Sequence, residues 1–337
     1  MKLTMRLGER SYDIIIKAGA LNHVGELTNL RRRALVVTDD GVPPQYAQTV
    51  AAQCSEASIV TVKQGEGSKS MAGFEQVLTA AMEAGLRRSD VIIAVGGGVV
   101  GDLAGFAAAS YMRGIDFINC PTTTLSQVDS SIGGKVAINL GGTKNIVGAF
   151  WQPRLVVADT ATLDTLTPRH YANGLAEAVK SGLIADAELF ELFENGDAHE
   201  KIEEIITRSL VVKKNIVERD EREGGPRAAL NFGHTLGHAV ESFEGLGGLY
   251  HGECVALGML PMIDDSALRQ RLRAVCKKLG LPARIDYDGD RVLDYIRCDK
   301  KAGGEGVKTV RVREAGQYYF EYATFDELRA LAKEGIR

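Results

Sequence analysis

Apolar and polar residues alternate over 2–8 and again over 11–17, with Gly8, Glu9 and Arg10 between them, which predicts an opening β-hairpin. Five short apolar runs follow, at 34–38, 59–62, 91–95, 117–120 and 155–158. Runs of this length without alternation suit strands covered on both faces. Between them, residues 44–54, 71–87 and 99–110 carry helical spacing. Strands alternating with helices predict a Rossmann-like α/β domain with a mostly parallel sheet.

The texture changes after about residue 160. Segments 168–195, 199–220, 228–243, 251–267 and 268–279 read as helices, followed by a β pair at 307–313 and 317–322 and a last helix from 324. The expected organisation is an α/β domain over 1–160 and a mainly α-helical domain over 161–337. No internal repeat or low-complexity linker interrupts it.

Composition adds exclusions. The 337 residues are 45% hydrophobic and 25% charged, an ordinary globular balance, and the net charge of −4 gives nucleic-acid binding no overall electrostatic support. No apolar run reaches the eighteen or so residues of a membrane span, and the N-terminus has no signal-peptide apolar block. The five cysteines (Cys54, Cys120, Cys254, Cys276, Cys298) are odd in number and scattered, as reduced thiols of a cytoplasmic protein would be. The 38 glycines cluster in tight runs, which suggests close backbone approach to a ligand.

The first such run follows the strand at 91–95: Gly96-Gly97-Gly98-Val99-Val100-Gly101-Asp102, then an Ala-rich helix. Strand, glycine turn and helix form the layout that seats a pyrophosphate on a helix N-terminus, although the spacing is not G-x-G-x-x-G. The alternative is a tight βα turn with no ligand. Gly65-Glu66-Gly67-Ser68-Lys69 can supply ribose or adenine contacts, or be an ordinary exposed loop. Pro121-Thr122-Thr123-Thr124 stands at the C-terminal end of a strand, where ligands sit in open α/β sheets. Asp129-Ser130-Ser131-Ile132-Gly133-Gly134-Lys135 and Lys144-Asn145 put glycines beside lysines, which suits an anion; a flexible solvated loop is the plain alternative. Arg113 is a further anion donor or a turn residue.

The second constellation is helical. Three of the six histidines fall within eighteen residues, His234, His238 and His251. His234 and His238 share a helix face, with Asn231 one turn earlier, so spacing alone puts both helix histidines on a metal. Glu177 and Lys180 are neighbours on another helix, and Lys213 and Arg227 add charge upstream. Each residue has a plain reading: surface pair, helix cap, core histidine. Taken jointly, Glu177 with His234 and His251 makes a two-His, one-carboxylate set with an open position, as a catalytic zinc needs. There is no H-E-x-x-H, so this is not the zinc-protease arrangement.

GGGVVGDLAGF, PTTTLSQVDSSIGGK, KNIVGAFWQP, GLAEAVK, LNFGHTLGHA and HGE occur in that order, and together they resemble the 3-dehydroquinate synthases of the shikimate pathway of aromatic amino acid biosynthesis. The resemblance runs from about residue 34 to 301. It implies a phosphate-eliminating lyase with NAD and Zn²⁺ (Co²⁺ being possible), working as a homodimer on 3-deoxy-D-arabino-heptulosonate 7-phosphate. Metal ligands would be Glu177, His234 and His251. NAD contacts would come from Glu66, Lys69, Gly98, Val99, Val100, Gly101, Asp102, Thr122, Thr123, Lys135, Lys144 and the turn Thr162, Leu163, Asp164, Thr165. The substrate phosphate would meet Lys135, Asn145, His238 and, from the other subunit, Arg113. Substrate carboxylate and hydroxyls would meet Asp129, Lys180, Lys213, Arg227 and Asn231. One lysine of Lys300-Lys301 would join the site, Lys300 being preferred. Gly67 stands where the family commonly has lysine, and Gly41 where it often has Asn; both bear on NAD affinity rather than on the reaction. The rival readings are another sugar-phosphate cyclase, which would not need Arg227 for a substrate carboxylate, and a metal-dependent alcohol or glycerol dehydrogenase, which would accumulate NADH.

Overall fold

The computed structural model describes residues 1–244, 248–284 and 306–335. The chain divides into two compact units, Met1–Thr167 and Pro168–Arg337.

The first unit is built on strands β1 (Lys2–Met5), β2 (Tyr12–Ile16), β3 (Arg33–Asp39), β4 (Glu56–Val62), β5 (Val91–Gly96), β6 (Asp116–Pro121), β7 (Lys135–Leu140), β8 (Thr143–Phe150) and β9 (Leu155–Ala158). Seven of them form one sheet in the order β1-β2-β9-β6-β5-β3-β4. Only the β1–β2 hairpin is antiparallel; every other pair is parallel. Helices α1 (Val24–Leu27), α2 (Pro44–Ala51), α3 (Met71–Glu83) and α4 (Gly98–Ser110) connect the strands.

The unalternating apolar runs become strands covered on both faces. Leu35, Val37, Ile92 and Ala94 turn to one side, where Val100, Leu103 and Ala107 of α4 and Val77 of α3 pack. Val36, Ile93 and Val95 turn to the other, against Ala47 and Val50 of α2. Strand period 2 therefore feeds two cores from one sheet. The edge strand β4 starts at Glu56, earlier than the apolar run at 59–62, because its polar first residues pair with β3 from Arg33 onward.

A second sheet, the β7–β8 hairpin, is absent from the sequence-based expectation. Its tip is Gly141-Gly142, with φ of 58° and 79°, the left-handed pair that a two-residue hairpin turn favours. After α4 the chain makes an unusual turn in which Met112, Arg113 and Gly114 all have positive φ (49°, 68° and 118°). Left-handed backbone at Met112 and Arg113 is strained and persists only where neighbours impose it. Trp151 packs directly on the face of Gly114 that a Cβ would occupy, and its indole Nε1 donates to the Ile115 carbonyl at 3.1 Å.

The second unit carries α5 (Pro168–Ala185), α6 (Ala187–Asn195), α7 (Ile202–Arg219), α8 (His234–Glu244), α9 (His251–Met259) and α10 (Ser266–Leu279), then a hairpin of β10 (Gly306–Glu314) and β11 (Gln317–Thr324) and a closing helix, Phe325–Gly335. No helix among the described residues is long and apolar enough to cross a membrane.

Three predicted helices are subdivided; the segment 251–267 stops as α9 at Met259, passes through a 3₁₀ turn at Leu260–Met262 and becomes helical again only with α10 at Ser266. The segment 168–195 breaks at Asp186, whose side chain caps α6 by accepting from Leu189 N at 3.1 Å and is gripped by Arg208 at 2.9 and 2.6 Å. The segment 228–243 also breaks. Pro226–Asn231 is a 3₁₀ turn, and α8 begins only at His234, after Gly233 at φ 76°.

Candidate metal centre and nucleotide loop

Glycine sets the geometry of the histidine cluster. A Cβ on Gly237 would lie 2.9 Å from the Cys254 carbonyl oxygen, and one on Gly258 would overlap the Gly233 carbonyl. Helices α8 and α9 therefore meet backbone to backbone, closer than the usual 8–10 Å of side-chain-separated helices would allow. The start of α9 is seated on α5 in the same manner: Gly252 N donates to Asn173 Oδ1 at 2.7 Å, and a Cβ on Gly252 would overlap the Asn173 carbonyl. Glu177 lies one turn beyond Asn173 on α5, so it faces the ring of His251.

The result is a compact donor set. Glu177 Oε1 is 3.6 Å from His234 Nε2 and 3.5 Å from His251 Nε2. Nitrogen atoms of His234, His238 and His251 lie within 4.8 Å of one another, with ring centroids 5.0 to 5.7 Å apart. The outer ring nitrogens are engaged: His234 Nδ1 with the Phe232 carbonyl at 3.0 Å, and His251 Nδ1 with Glu241 Oε2 at 3.0 Å. Those contacts turn both Nε2 atoms towards Glu177.

The electrostatics suit a cation. Burial would raise the pKa of Glu177, but Lys180, His234 and His251 hold it well below the usual carboxylate range. Burial and the Lys180 ammonium push His234 down to about 3. Burial also opposes a charge on His251, yet Glu177 and Glu241 raise it to about 10. An anionic carboxylate thus sits among imidazoles with a proton held on one ring. Glu177 is 1% exposed; its Oε2 is ion-paired with the Lys180 ammonium, and its Oε1 faces only the two imidazole Nε2 atoms at 3.5 and 3.6 Å, with no well-formed hydrogen bond. A buried carboxylate oxygen so poorly satisfied is costly. A divalent cation on Glu177, His234 and His251 fits this donor set, and the engaged Nδ1 atoms are the outer contacts that metal-bound imidazoles make. His238 lies near enough to be an alternative donor, as the helical spacing alone suggested.

In the first unit the glycine run ends β5 and opens α4 at Gly98, with Gly97 as N-cap and no side chain capping the first turn. The backbone N–H groups of that turn are the anion donors of a helix N-terminus. A Cβ on Gly98 would stand 3.0 Å from Ser130 Oγ, a buried hydroxyl without a hydrogen-bond partner. Thr122 N is tied back to the Gly96 carbonyl at 2.9 Å, placing Thr122 and Thr123 beside the loop. Lys69, 4% exposed, donates to Asp102 Oδ2 at 2.7 Å and to Asn145 Oδ1, and lies 3.7 Å from Glu66. The Thr160–Thr165 turn is joined to the end of β6 by Gln127, whose Nε2 reaches the Pro121 carbonyl, the Asp159 carbonyl and Thr162 Oγ1 at 2.9 to 3.1 Å. A side-chain-free helix start with a polar rim fits a dinucleotide's pyrophosphate.

Residues 59–173 match the 3-dehydroquinate synthase N-terminal family and residues 174–302 the 3-dehydroquinate synthase C-terminal family. The chain belongs to the 3-dehydroquinate synthase family. A 3-dehydroquinate synthase of Geobacter sp. (strain M21) is 41% identical, the match covering 96% of this chain and 95% of that protein. Among solved structures, a 2-deoxy-scyllo-inosose synthase complexed with carbaglucose-6-phosphate, NAD⁺ and Co²⁺ superposes with a TM-score of 0.90 at 26% identity, covering 99% of this chain and 100% of that one. A 2-epi-5-epi-valiolone synthase from Streptomyces hygroscopicus subsp. jinggangensis 5008, with NAD⁺ and Zn²⁺ bound, gives 0.86 at 27% identity, covering 97% of each chain.

Against the 3-dehydroquinate synthase pattern, the remaining predicted residues fall as follows. Lys180, Lys213 and Arg227 are buried at 2%, 7% and 2% exposure, Lys180 against Glu177. Arg227 donates to the Glu221 carbonyl. Asp129 is half-buried in a single π-helical turn, Ser126–Ser130. Lys135, Lys144 and Arg113 are exposed on the first unit. Lys300 and Lys301 lie outside the described residues.

One expectation needs correction. Asn231 is not on the histidine helix: the break at Phe232-Gly233 leaves it exposed on the preceding 3₁₀ turn, where its Nδ2 donates to Glu223 Oε1 at 3.1 Å. Asn145, read as a contact of the substrate phosphate, accepts from Lys69. Asn139 was missed altogether. Its Nδ2 donates to Glu66 Oε1 and its Oδ1 accepts from Asn145 N, both at 2.8 Å, so it fixes two rim residues at once. Glu241 was missed too, although it lies on the helix that carries His234 and His238.

Proposed function

We propose that this chain is an NAD⁺- and zinc-dependent lyase that converts 3-deoxy-D-arabino-heptulosonate 7-phosphate into 3-dehydroquinate and phosphate, by transient oxidation, phosphate elimination, reduction and aldol closure. Family membership along nearly the whole chain supports the reaction. The observation that carries the site is the buried Glu177 carboxylate, ion-paired with Lys180 through one oxygen and facing two imidazole Nε2 atoms with the other.

Glu177, His234 and His251 would hold the metal, and the α4 N-terminus with Gly98 to Asp102, Glu66, Lys69, Thr122, Thr123, Lys144 and the 162–165 turn would hold NAD⁺. When bound, the metal would polarise substrate hydroxyls while the nicotinamide takes up and returns a hydride. The protein's own share is binding and orientation. Lys135, Asn145, His238 and Arg113 would grip the substrate phosphate; Lys180, Lys213 and Arg227 would meet its carboxylate and hydroxyls, with Asp129 and Asn231 orienting the latter. Buried cations in a net-acidic chain support a small polyanionic substrate. The Lys180 ammonium, held on Glu177, keeps that carboxylate charged and so ready as a ligand.

A homodimer is part of this reading. Met112, Leu140, Ile146 and Phe150 are apolar yet 43%, 50%, 61% and 39% exposed in the first unit, and a second copy would cover them while bringing Arg113 to its neighbour's phosphate. The thiols of Cys54, Cys120, Cys254 and Cys276 are free, which supports a reducing, cytoplasmic setting.

The test is to incubate the zinc- and NAD⁺-loaded protein with the heptulosonate phosphate and follow phosphate and NADH together. Phosphate should be released with no net NADH. Stoichiometric NADH, or phosphate release only from a substrate lacking the carboxylate, would overturn the assignment.

A further inference from the structure

We propose that Glu241 is a positioning residue of the metal centre, which fixes the ring of His251 and makes it the stronger imidazole donor of the set. The inference rests on the ligand reading given above.

Glu241 is on α8, three residues after His238 and seven after His234, and so close to their face of the helix. His251 opens α9. Glu241 Oε2 lies 3.0 Å from His251 Nδ1, and across the ring His251 Nε2 lies 3.5 Å from Glu177 Oε1. The imidazole is therefore spanned between two carboxylates, one on each nitrogen. A neutral imidazole has a single N–H. With that N–H on Nδ1 and donated to Glu241, the Nε2 lone pair is aimed at the point that His234 and Glu177 also face.

His234 reaches the same tautomer by different means, since its Nδ1 faces the Phe232 backbone carbonyl at 3.0 Å. The carbonyl is a neutral acceptor held by the backbone. The carboxylate of Glu241 is charged, and a charge-assisted bond to the N–H leaves more electron density on Nε2. Glu241 also links α8 to α9 through side chains, so it holds the ring orientation across two helices. It would touch neither substrate nor metal.

The experiment measures the zinc dissociation constant of the full-length protein by competition with a chromogenic chelator, for the wild type, Glu241→Gln, Glu241→Ala and His251→Ala. It adds the visible spectrum of each Co²⁺-loaded protein and the unfolding temperature of each metal-free one. Glu241→Ala should weaken zinc binding by about 10–100-fold. Glu241→Gln should fall between, because its amide oxygen accepts the same bond without the charge. The Co²⁺ bands should shift in both, while the metal-free proteins remain cooperatively folded. His251→Ala should lose tight zinc binding. If His251→Ala weakens zinc binding and both Glu241 variants match the wild type in affinity and spectrum, the positioning role is wrong. If His251→Ala itself binds zinc as the wild type does, the ligand reading beneath it is wrong. Should Glu241→Ala fail to fold, the near-isosteric Glu241→Gln decides the matter.

Discussion

Oε1 of Glu177 lies 3.5 Å from Nε2 of His251, and the two residues come from helices α5 and α9 that touch through Asn173 and Gly252. His234 brings a third donor to the same oxygen from α8. Removing it leaves Glu177 and His251, with the exposed His238 as a nearby imidazole, too loose a set for tight zinc. His234→Ala is expected to purify without stoichiometric zinc and without activity. Elemental analysis after dialysis, alongside the phosphate assay, checks this; full zinc content in the variant would refute the assignment.

Metal loading should be linked to pH. In the metal-free protein His251 is raised to about 10, so its ring is protonated at neutral pH and the proton must leave before Nε2 can bind a metal. Zinc affinity should therefore rise with pH, by about tenfold per unit, and level off once pH passes about 10. Glu177, held low, adds no proton to this count in that range. Calorimetry of zinc binding in two buffers of different ionisation enthalpy should show about one proton released near pH 7. Zero release would contradict the charge state described for the triad.

Gly237→Ala reverses the usual sign of a helix substitution. Alanine in place of glycine inside a helix normally stabilises by about 0.5–1 kcal/mol. Here the added methyl would meet the Cys254 carbonyl oxygen at 2.9 Å, and backbone cannot yield as a side-chain tip can. A net loss of about 1–3 kcal/mol is expected from overpacking, together with weaker zinc binding as α8 is pushed off α9. Denaturant unfolding measures the first and chelator competition the second.

Lys135→Ala should raise the substrate KM or lower kcat strongly, if the exposed lysine at the start of β7 grips the substrate phosphate as proposed. NAD⁺ binding, followed by quenching or calorimetry, should survive. Kinetics identical to the wild type would remove Lys135 from the phosphate site.

Gly67→Lys is expected to tighten NAD⁺ binding severalfold, on the order of the 0.5–1 kcal/mol of an exposed ionic contact. A Cβ at this position meets nothing within 4 Å, so the side chain enters open space beside Glu66 and Lys69. An unchanged dissociation constant would mean that this loop does not approach the nucleotide.

The central strands were legible because unalternating apolar runs have few uses other than a sheet covered twice. The β7–β8 hairpin was not. Lys135, Asn139, Lys144 and Asn145 mask its alternation, and the Gly141-Gly142 turn lay within a stretch read as anion-binding loop. The start of α8 was placed too early because helical spacing continues through 228–233; the break at Gly233 is imposed by its packing on Val255 and Met259 of α9, which no local pattern announces. That one break moved Asn231 off the histidine face. Glu177, His234 and His251 could be grouped from residue type and motif order, whereas Glu241 and Asn139 act through partners distant in sequence and carried no local signal.

Trp151, the only tryptophan in the chain, rests on Gly114 and bonds Ile115 beside the strained Met112-Arg113 turn. All indole fluorescence of this protein therefore originates at one spot in the first unit. The chain carries its own optical gauge of that turn: any ligand or second copy that draws on Arg113 should change the emission, with no label attached.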